Sequence, residues 1–253
     1  MFSGANGGSM TELKACFFDI DDTLFSTTGF AEKARRASID GMIRMGLHIE
    51  PEEGYRELRE VIAEFSSNYG AHYDRFLSRL PAAALRGTNR SLLVAAAVIA
   101  YHETKFRELS AYEDVLEAMR LMSTSDLVLG IITSGLRIKQ AEKIVRTGVW
   151  RYVHHSAIFI TDEVGIGKPN PKLYLRACES VGVRPSQAMH IGDHPESDID
   201  AANAAGMISV RHKREGRHLD SDGATEPDHV IYNFLDLIGI LQDDYGFNFD
   251  VEL

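Results

Sequence analysis

The sequence is poor in cysteine, in positive charge and in long apolar runs, and each scarcity excludes something. Only two cysteines, Cys16 and Cys178, occur in 253 residues, both in apolar segments without a CxxC pair or histidine-rich company. A disulfide framework and a zinc site are therefore not expected, and a reducing, cytoplasmic setting is the default. Lys and Arg total 27 against 37 Asp and Glu, a net charge of −10. That balance repels a phosphate backbone and an anionic bilayer, so neither nucleic acid nor membrane is an expected partner. Any phosphate the protein handles must be met by local positive groups or a metal. No segment approaches the run of about 20 apolar residues that a membrane span needs, and even Leu92 to Ala100 is too short. Residues Met1 to Ser9 have no basic region and no apolar core, so they read as a flexible tail rather than a signal peptide. Met10 directly precedes the first patterned segment, which fits a disordered extension or a start codon placed too early.

What is present is ordinary for a globular chain: 44% hydrophobic and 25% charged residues. The length predicts one large domain or two modest ones. Short, continuous apolar runs recur at Ala15 to Phe18, Leu127 to Ile132, Ala157 to Ile160, Ala188 to Ile191, Ile208 to Val210 and Val230 to Tyr232. Continuous rather than alternating hydrophobicity marks strands buried on both faces, as in a parallel sheet. Helical spacing lies between them: Val115, Met119 and Met122 share a face, as do Ile138, Ala141 and Val145, and Tyr174, Cys178 and Val181. The alternation predicts an α/β fold with a doubly wound, Rossmann-like parallel sheet.

From Thr28 to Leu109 the rhythm breaks, with helical patterns only, among them Phe30 to Arg36, Glu52 to Phe65 and Ser91 to Phe106. A connection of this length is expected to be a helical subdomain inserted after the first strand. The predicted organisation is a tail over 1–10, a core from 11–26 and 109–253, and a helical insert over 27–108. The acidic, aromatic segment Asp243 to Asp250 is expected to close the core or fray.

The chemistry gathers at strand ends. The first strand runs into Asp19, Asp21 and Asp22, three carboxylates at the crevice where open α/β sheets bind ligands. Clustered carboxylates repel one another, and a hard divalent cation with oxygen ligands resolves that cost. A solvated acidic turn in which Asp22 or Thr23 caps a helix is the plain alternative. A second cluster, Gly192-Asp193-His194-Pro195-Glu196-Ser197-Asp198-Ile199-Asp200, follows a later strand. Asp193 and Asp198 read as site residues, and Asp200 as an acid in the first helical turn. The run ending Thr133-Ser134-Gly135 offers hydroxyls and backbone N–H groups to a phosphate at a helix start. Lys168 stands just before Asn170-Pro171, a cap and first-turn pair that fixes it at a helix N-terminus.

The order DxDxT, strand-ending Thr, Lys, GDxxxxD resembles the four motifs of the haloacid dehalogenase superfamily, from Leu13 to about Asp236. The helical insert is similar to the cap of its first subclass. The resemblance implies a phosphatase in which Asp19 is the nucleophile, forming a phospho-aspartate, and Asp21 is the general acid and base. It implies Mg²⁺ held by the Asp19 carboxylate, the Asp21 backbone carbonyl and Asp193, with Asp198 in support. Thr133, Ser134, Gly135 and Lys168 would take the phosphoryl oxygens. Within the superfamily, Phe25 to Arg36 and Val98 to Phe106 resemble the archaeal glyceraldehyde 3-phosphate phosphatase group, whereas Ser134 departs from the acidic or amide residues frequent there. The implied partner is a small phosphorylated metabolite, for a monomer or small homo-oligomer. Specificity is expected from the insert, with Asn68, Tyr69, His72, Tyr73, His102 and Lys105 as candidates and His72 and Lys105 favoured. His194 is expected to touch a product or cover the site. A 2-haloacid dehalogenase and a phosphosugar mutase using the same Asp19 are competing readings, the first disfavoured by Asp21. An inactive binding or scaffold member is a third, disfavoured because every motif residue is present.

Overall fold

The computed structural model describes residues 12–66 and 69–249. The expected N-terminal tail, Asn68 and Asp250 lie outside these. Six strands form one all-parallel sheet: β1 (Ala15–Phe18), β2 (Val128–Thr133), β3 (Ile158–Ile160), β4 (Ala188–Gly192), β5 (Ile208–His212) and β6 (His229–Ile231), in the order β3-β2-β1-β4-β5-β6. Each of the six short apolar runs read as strands forms one. This is the doubly wound order, and its reversal falls between β1 and β4, the place where such sheets bind ligands beyond their carboxyl ends.

Among the described residues, ten α-helices accompany the strands: α1 (Thr27–Arg44), α2 (Pro51–Phe65), α3 (His72–Arg79), α4 (Arg90–Glu108), α5 (Glu113–Met122), α6 (Arg137–Thr147), α7 (Thr161–Val164), α8 (Pro171–Ser180), α9 (Ala201–Ala205) and α10 (Phe234–Asp243). The central strand is fully buried, and its alternating side chains feed two cores. Phe17 joins Leu173, Tyr174 and Ala177 of α8 and Ala201, Ala202 and Ala205 of α9. Phe18 faces the other way, its ring 6.0 Å from that of Phe234 on α10. Helix α5 buries Val115, Met119 and Met122, as the spacing predicts. Burial pushes the Cys16 thiol up to about 12, leaving it an inert core residue.

Helix α6 departs from its pattern. Ile138 and Val145, which share an apolar face in sequence, are 70% and 64% exposed, and the buried face carries Gln140, Ile144 and Thr147. The C-terminal segment does pack: Phe249 is buried, stacked on Phe247, whose amide donates to Leu241 O at 3.0 Å.

The chain divides into two compact units. One runs up to Ser26 and resumes at Ser110; it holds the sheet. The other, Thr27–Leu109, has helices and connecting turns but no strand among its described residues, and has its own core of Ile39, Met42, Leu58, Val61, Phe76 and Leu93. Among the described residues no helix is long and apolar enough to cross a membrane.

Candidate active site

Asp19 continues β1 by one residue: its amide donates to Ile191 O at 2.9 Å, extending the ladder to β4 and setting the carboxylate at the sheet's carboxyl edge. Asp193 follows the end of β4 at Gly192. A π-helical turn over Pro195–Asp200 then brings Asp198 back to the same place, where the His194 amide donates to its Oδ2 at 3.0 Å. Glycine is required at 192 because a Cβ there would lie 2.3 Å from Asp198 Cγ. Asp19, Asp193 and Asp198 are all buried, and each offers a carboxylate oxygen within 4.8 Å of the others.

One cation is built into this cluster. Lys168 Nζ donates to Asp19 Oδ1 at 2.7 Å and to Asp198 Oδ1 at 2.6 Å, with its side chain 2% exposed. Its position is prepared as expected: Asn170 Oδ1 accepts from Lys172 N at 3.0 Å and Pro171 opens α8. Behind Asp198, His190 Nε2 lies 3.1 Å from Oδ1, and the His190 ring stands edge-on to Tyr174 at 4.9 Å.

The electrostatics follow from burial and unequal pairing. Burial would raise the Asp198 carboxyl, but Lys168 and His190 outweigh it and hold it below the usual carboxylate range. Burial pushes Asp19 up to about 7, against the pull of Lys168 and with the push of Asp198 and Asp21. Asp193, which Lys168 does not touch, is pushed up to about 9 by burial and by its carboxylate neighbours Asp19 and Asp198. Three buried carboxylates against one ammonium leave a deficit of positive charge. The donors are all oxygen, which suits a hard divalent ion of the Mg²⁺ kind.

The loop after β2 adds a hydroxyl. Thr133 is buried and its Oγ1 has no hydrogen-bond partner, a cost that an arriving acceptor or donor removes. Ser134 is exposed. Helix α6 begins just beyond these residues, at Arg137, whose amide is capped by Asp162 Oδ2 at 2.9 Å, while the Gly135 amide is committed to Thr161 Oγ1 at 3.1 Å.

Asp21 is not part of the three-carboxylate cluster. It lies on the turn after β1 and is gripped from α6. Lys143 Nζ donates to its Oδ1 at 2.6 Å and its Oδ2 at 2.7 Å, and Gln140 Nε2 donates to Oδ2 at 3.0 Å. Sequence reasoning missed Lys143, Gln140 and His190. The motif spacing marks strand ends only, and the hydrophobic pattern of α6 turns Gln140 and Lys143 outward.

Other expected residues fall elsewhere. Asp22 is buried with φ 56°, and Thr23 and Leu24 turn back on Ile20 O at 3.3 and 3.0 Å, so this stretch shapes the turn. Asp200 accepts from the amides of Ala224 and Thr225, both at 2.8 Å, and so ties a surface loop rather than serving the site. His194 accepts from Ser197 N at 3.3 Å, and its ring lies tilted against that of His218 at 4.0 Å.

In the helical unit, His72 Nε2 is 2.7 Å from Ser66 O and its ring is edge-on to Tyr69. The Tyr73 hydroxyl bonds Ser38 Oγ at 2.7 Å, His102 lies edge-on to Tyr101, and Lys105 is buried.

Comparison with known proteins adds the family context. The sequence model described as haloacid dehalogenase-like hydrolase matches residues 13–206. The glyceraldehyde 3-phosphate phosphatase of Methanopyrus kandleri is 42% identical over 218 residues, 85% of this chain and 90% of that one. The protein of the same name from Methanothermobacter thermautotrophicus is 36% identical over 227 residues, 89% and 94% of the two chains. Among solved structures, a HAD phosphatase from Thermococcus onnurineus superposes with a TM-score of 0.65 over 92% of this chain and 100% of that one, at 24% identity, a likeness of fold.

Proposed function

Because the chain belongs to the haloacid dehalogenase-like hydrolase family, we propose that it is a Mg²⁺-dependent phosphatase of a small phosphorylated metabolite, with glyceraldehyde 3-phosphate as its substrate. The observation that carries the chemistry is the buried convergence of Asp19, Asp193, Asp198 and Lys168 at the carboxyl ends of β1 and β4. The substrate rests on the names of the archaeal relatives, which match over most of both chains.

In this reading an Asp19 oxygen attacks phosphorus, and the bond from phosphorus to the ester oxygen breaks as the aspartyl phosphate forms. Asp21 gives its proton to the departing alkoxide. Water then attacks the phosphorus of the aspartyl phosphate and yields a proton to Asp21, which releases inorganic phosphate and restores Asp19. Lys168 and the unpartnered Thr133 hydroxyl receive the phosphoryl oxygens. The Asp19 carboxylate, the Asp21 backbone carbonyl and Asp193 would hold Mg²⁺, with Asp198 in support. When bound, that ion supplies the charge the carboxylate cluster lacks and offsets the negative charge of the transferring group.

The unit Thr27–Leu109 serves as the cap and selects the substrate, with Lys105 and His72 as the first positions to vary. Two buried free cysteines suit a reducing, cytoplasmic setting.

The test is inorganic phosphate release from a panel of esters, with Mg²⁺ and with EDTA. The reading expects metal-dependent release led by glyceraldehyde 3-phosphate. Release led by phosphoglycolate or a nucleoside monophosphate would keep the mechanism and overturn the substrate. No release from a folded, metal-supplied protein would overturn both.

A further inference from the structure

Helix α6 buries Ile144 but otherwise departs from its apolar pattern. Its exposed side carries Ile138 and Val145, while Gln140 is 4% exposed and the Lys143 side chain 15%. Turning two apolar side chains to solvent and two polar ones inward forgoes apolar burial. A local rule broken without a gain in packing marks a place where function sets the residues.

What the inward residues touch is one carboxylate. Lys143 Nζ bonds both oxygens of Asp21, at 2.6 and 2.7 Å, and Gln140 Nε2 bonds Oδ2 at 3.0 Å. Their i, i+3 spacing puts both on one helical face. The same Gln140 Nε2 donates to Ser134 O at 2.6 Å, so the carboxylate is tied to the loop that carries Thr133. Room for the amide comes from Gly135, where a Cβ would lie 2.6 Å from Gln140 Nε2 and φ is +135°. Asp21 needs such support. It sits on a turn beyond the end of β1, its side chain is 31% exposed, and it stands outside the carboxylate cluster that Lys168 organises.

We infer that Lys143 and Gln140 are positioning residues that fix the Asp21 carboxyl group for proton transfer to the leaving oxygen. The inference rests on the acid role given to Asp21 above. Proton transfer requires the acid within hydrogen-bond reach of the departing oxygen, and a carboxyl group free to rotate is aligned only part of the time. Both act through Asp21 and stand outside the cluster of Asp19, Asp193, Asp198 and Lys168.

The experiment compares two substrates that differ in their need for an acid. An alkyl phosphate such as glyceraldehyde 3-phosphate leaves as a strongly basic alkoxide, whereas p-nitrophenyl phosphate leaves as a weakly basic phenolate. With Mg²⁺ present, kcat/KM reports events up to loss of the leaving group, so a displaced acid lowers it for the alkyl ester and spares the aryl ester. Lys143→Met is expected to lower alkyl kcat/KM by at least about tenfold with an aryl loss below about threefold. Lys143→Arg, which can still donate to both oxygens, is expected to restore the alkyl rate, and Gln140→Ala to give the same selective loss in milder form. Should Lys143→Met fail to fold, Lys143→Gln carries the same comparison.

Equal losses on both esters, or no loss from a folded variant, would overturn the inference. Asp21→Asn run in parallel separates the two levels. If it spares the alkyl ester, the acid role itself fails and the positioning role falls with it. If it shows the selective loss and Lys143→Met does not, only the positioning role fails.

Discussion

Lys168 Nζ lies 2.6 Å from Asp198 Oδ1 in a pair whose side chains are each 2% exposed. The lysine also bonds Asp19, so a single ammonium supports two buried carboxylates from different strand ends. Removing it takes the ammonium from both, and Asp198 keeps only His190 and the His194 amide, in a medium that solvates charge poorly. Lys168→Met is expected to cost about 3–5 kcal/mol of folding stability and to abolish turnover. Urea denaturation checks the first part, and an unchanged midpoint would contradict it.

The carboxylate cluster predicts a stabilising ion. Asp193 is pushed up to about 9 by burial and by Asp19 and Asp198, so the folded protein carries an electrostatic cost that a divalent cation relieves. Thermal unfolding is expected to shift upward with Mg²⁺ relative to EDTA, by about 2.7 kcal/mol in stability at a hundredfold excess over Kd. Asp193→Asn is expected to remove most of that shift. Equal Mg²⁺ effects in variant and wild type would place the ion elsewhere.

Gly192 is the hinge of this geometry. An alanine Cβ would come 2.3 Å from Asp198 Cγ, so Asp198 or the strand end has to move. Gly192→Ala is expected to cost about 1–3 kcal/mol and to weaken Mg²⁺ binding, read by titration calorimetry. Wild-type affinity in the variant would show that Asp198 is not placed by this contact.

His212 carries a pH signature away from the chemistry. Its ring is buried edge-on to Tyr112 and Phe234, and burial, aided by Arg214, lowers its pKa from 6.5 to about 4. Unfolded chains bind the proton more tightly, so this group contributes stability in full above 6.5 and loses it as pH falls toward 4. Between about pH 7.5 and about pH 5 the loss is about 2 kcal/mol. His212→Phe keeps the ring packing and removes the titration. Its stability is expected to fall less than that of the wild type over this interval, and parallel profiles would refute the assignment.

How much of this was legible beforehand depended on what each element buries. The strands at Ala15–Phe18 and Ala188–Gly192 are buried throughout and almost wholly apolar, His190 excepted, and that pattern marks a central strand. Asp19, Asp193 and Lys168 then follow at strand and helix ends, where sequence position and spatial position coincide. Helix α6 differs in orientation from its sequence pattern because an exposed pair, Ile138 and Val145, mimics a core face. Its inward Gln140 and Lys143 contact Asp21, 119 and 122 positions away in sequence. No local pattern encodes such a contact. The same holds for Gly135, whose amide looks available in sequence and is taken by Thr161.

The central claim is that Asp19 is the nucleophile of a metal-dependent phosphatase. Its most direct test is phosphate release from glyceraldehyde 3-phosphate by wild type and Asp19→Asn, each with Mg²⁺ and with EDTA, with circular dichroism confirming the fold. The account predicts release by the wild type with Mg²⁺ alone, and a fall of at least about a thousandfold in the variant. Turnover by a folded Asp19→Asn protein, or wild-type release that EDTA leaves untouched, would contradict it.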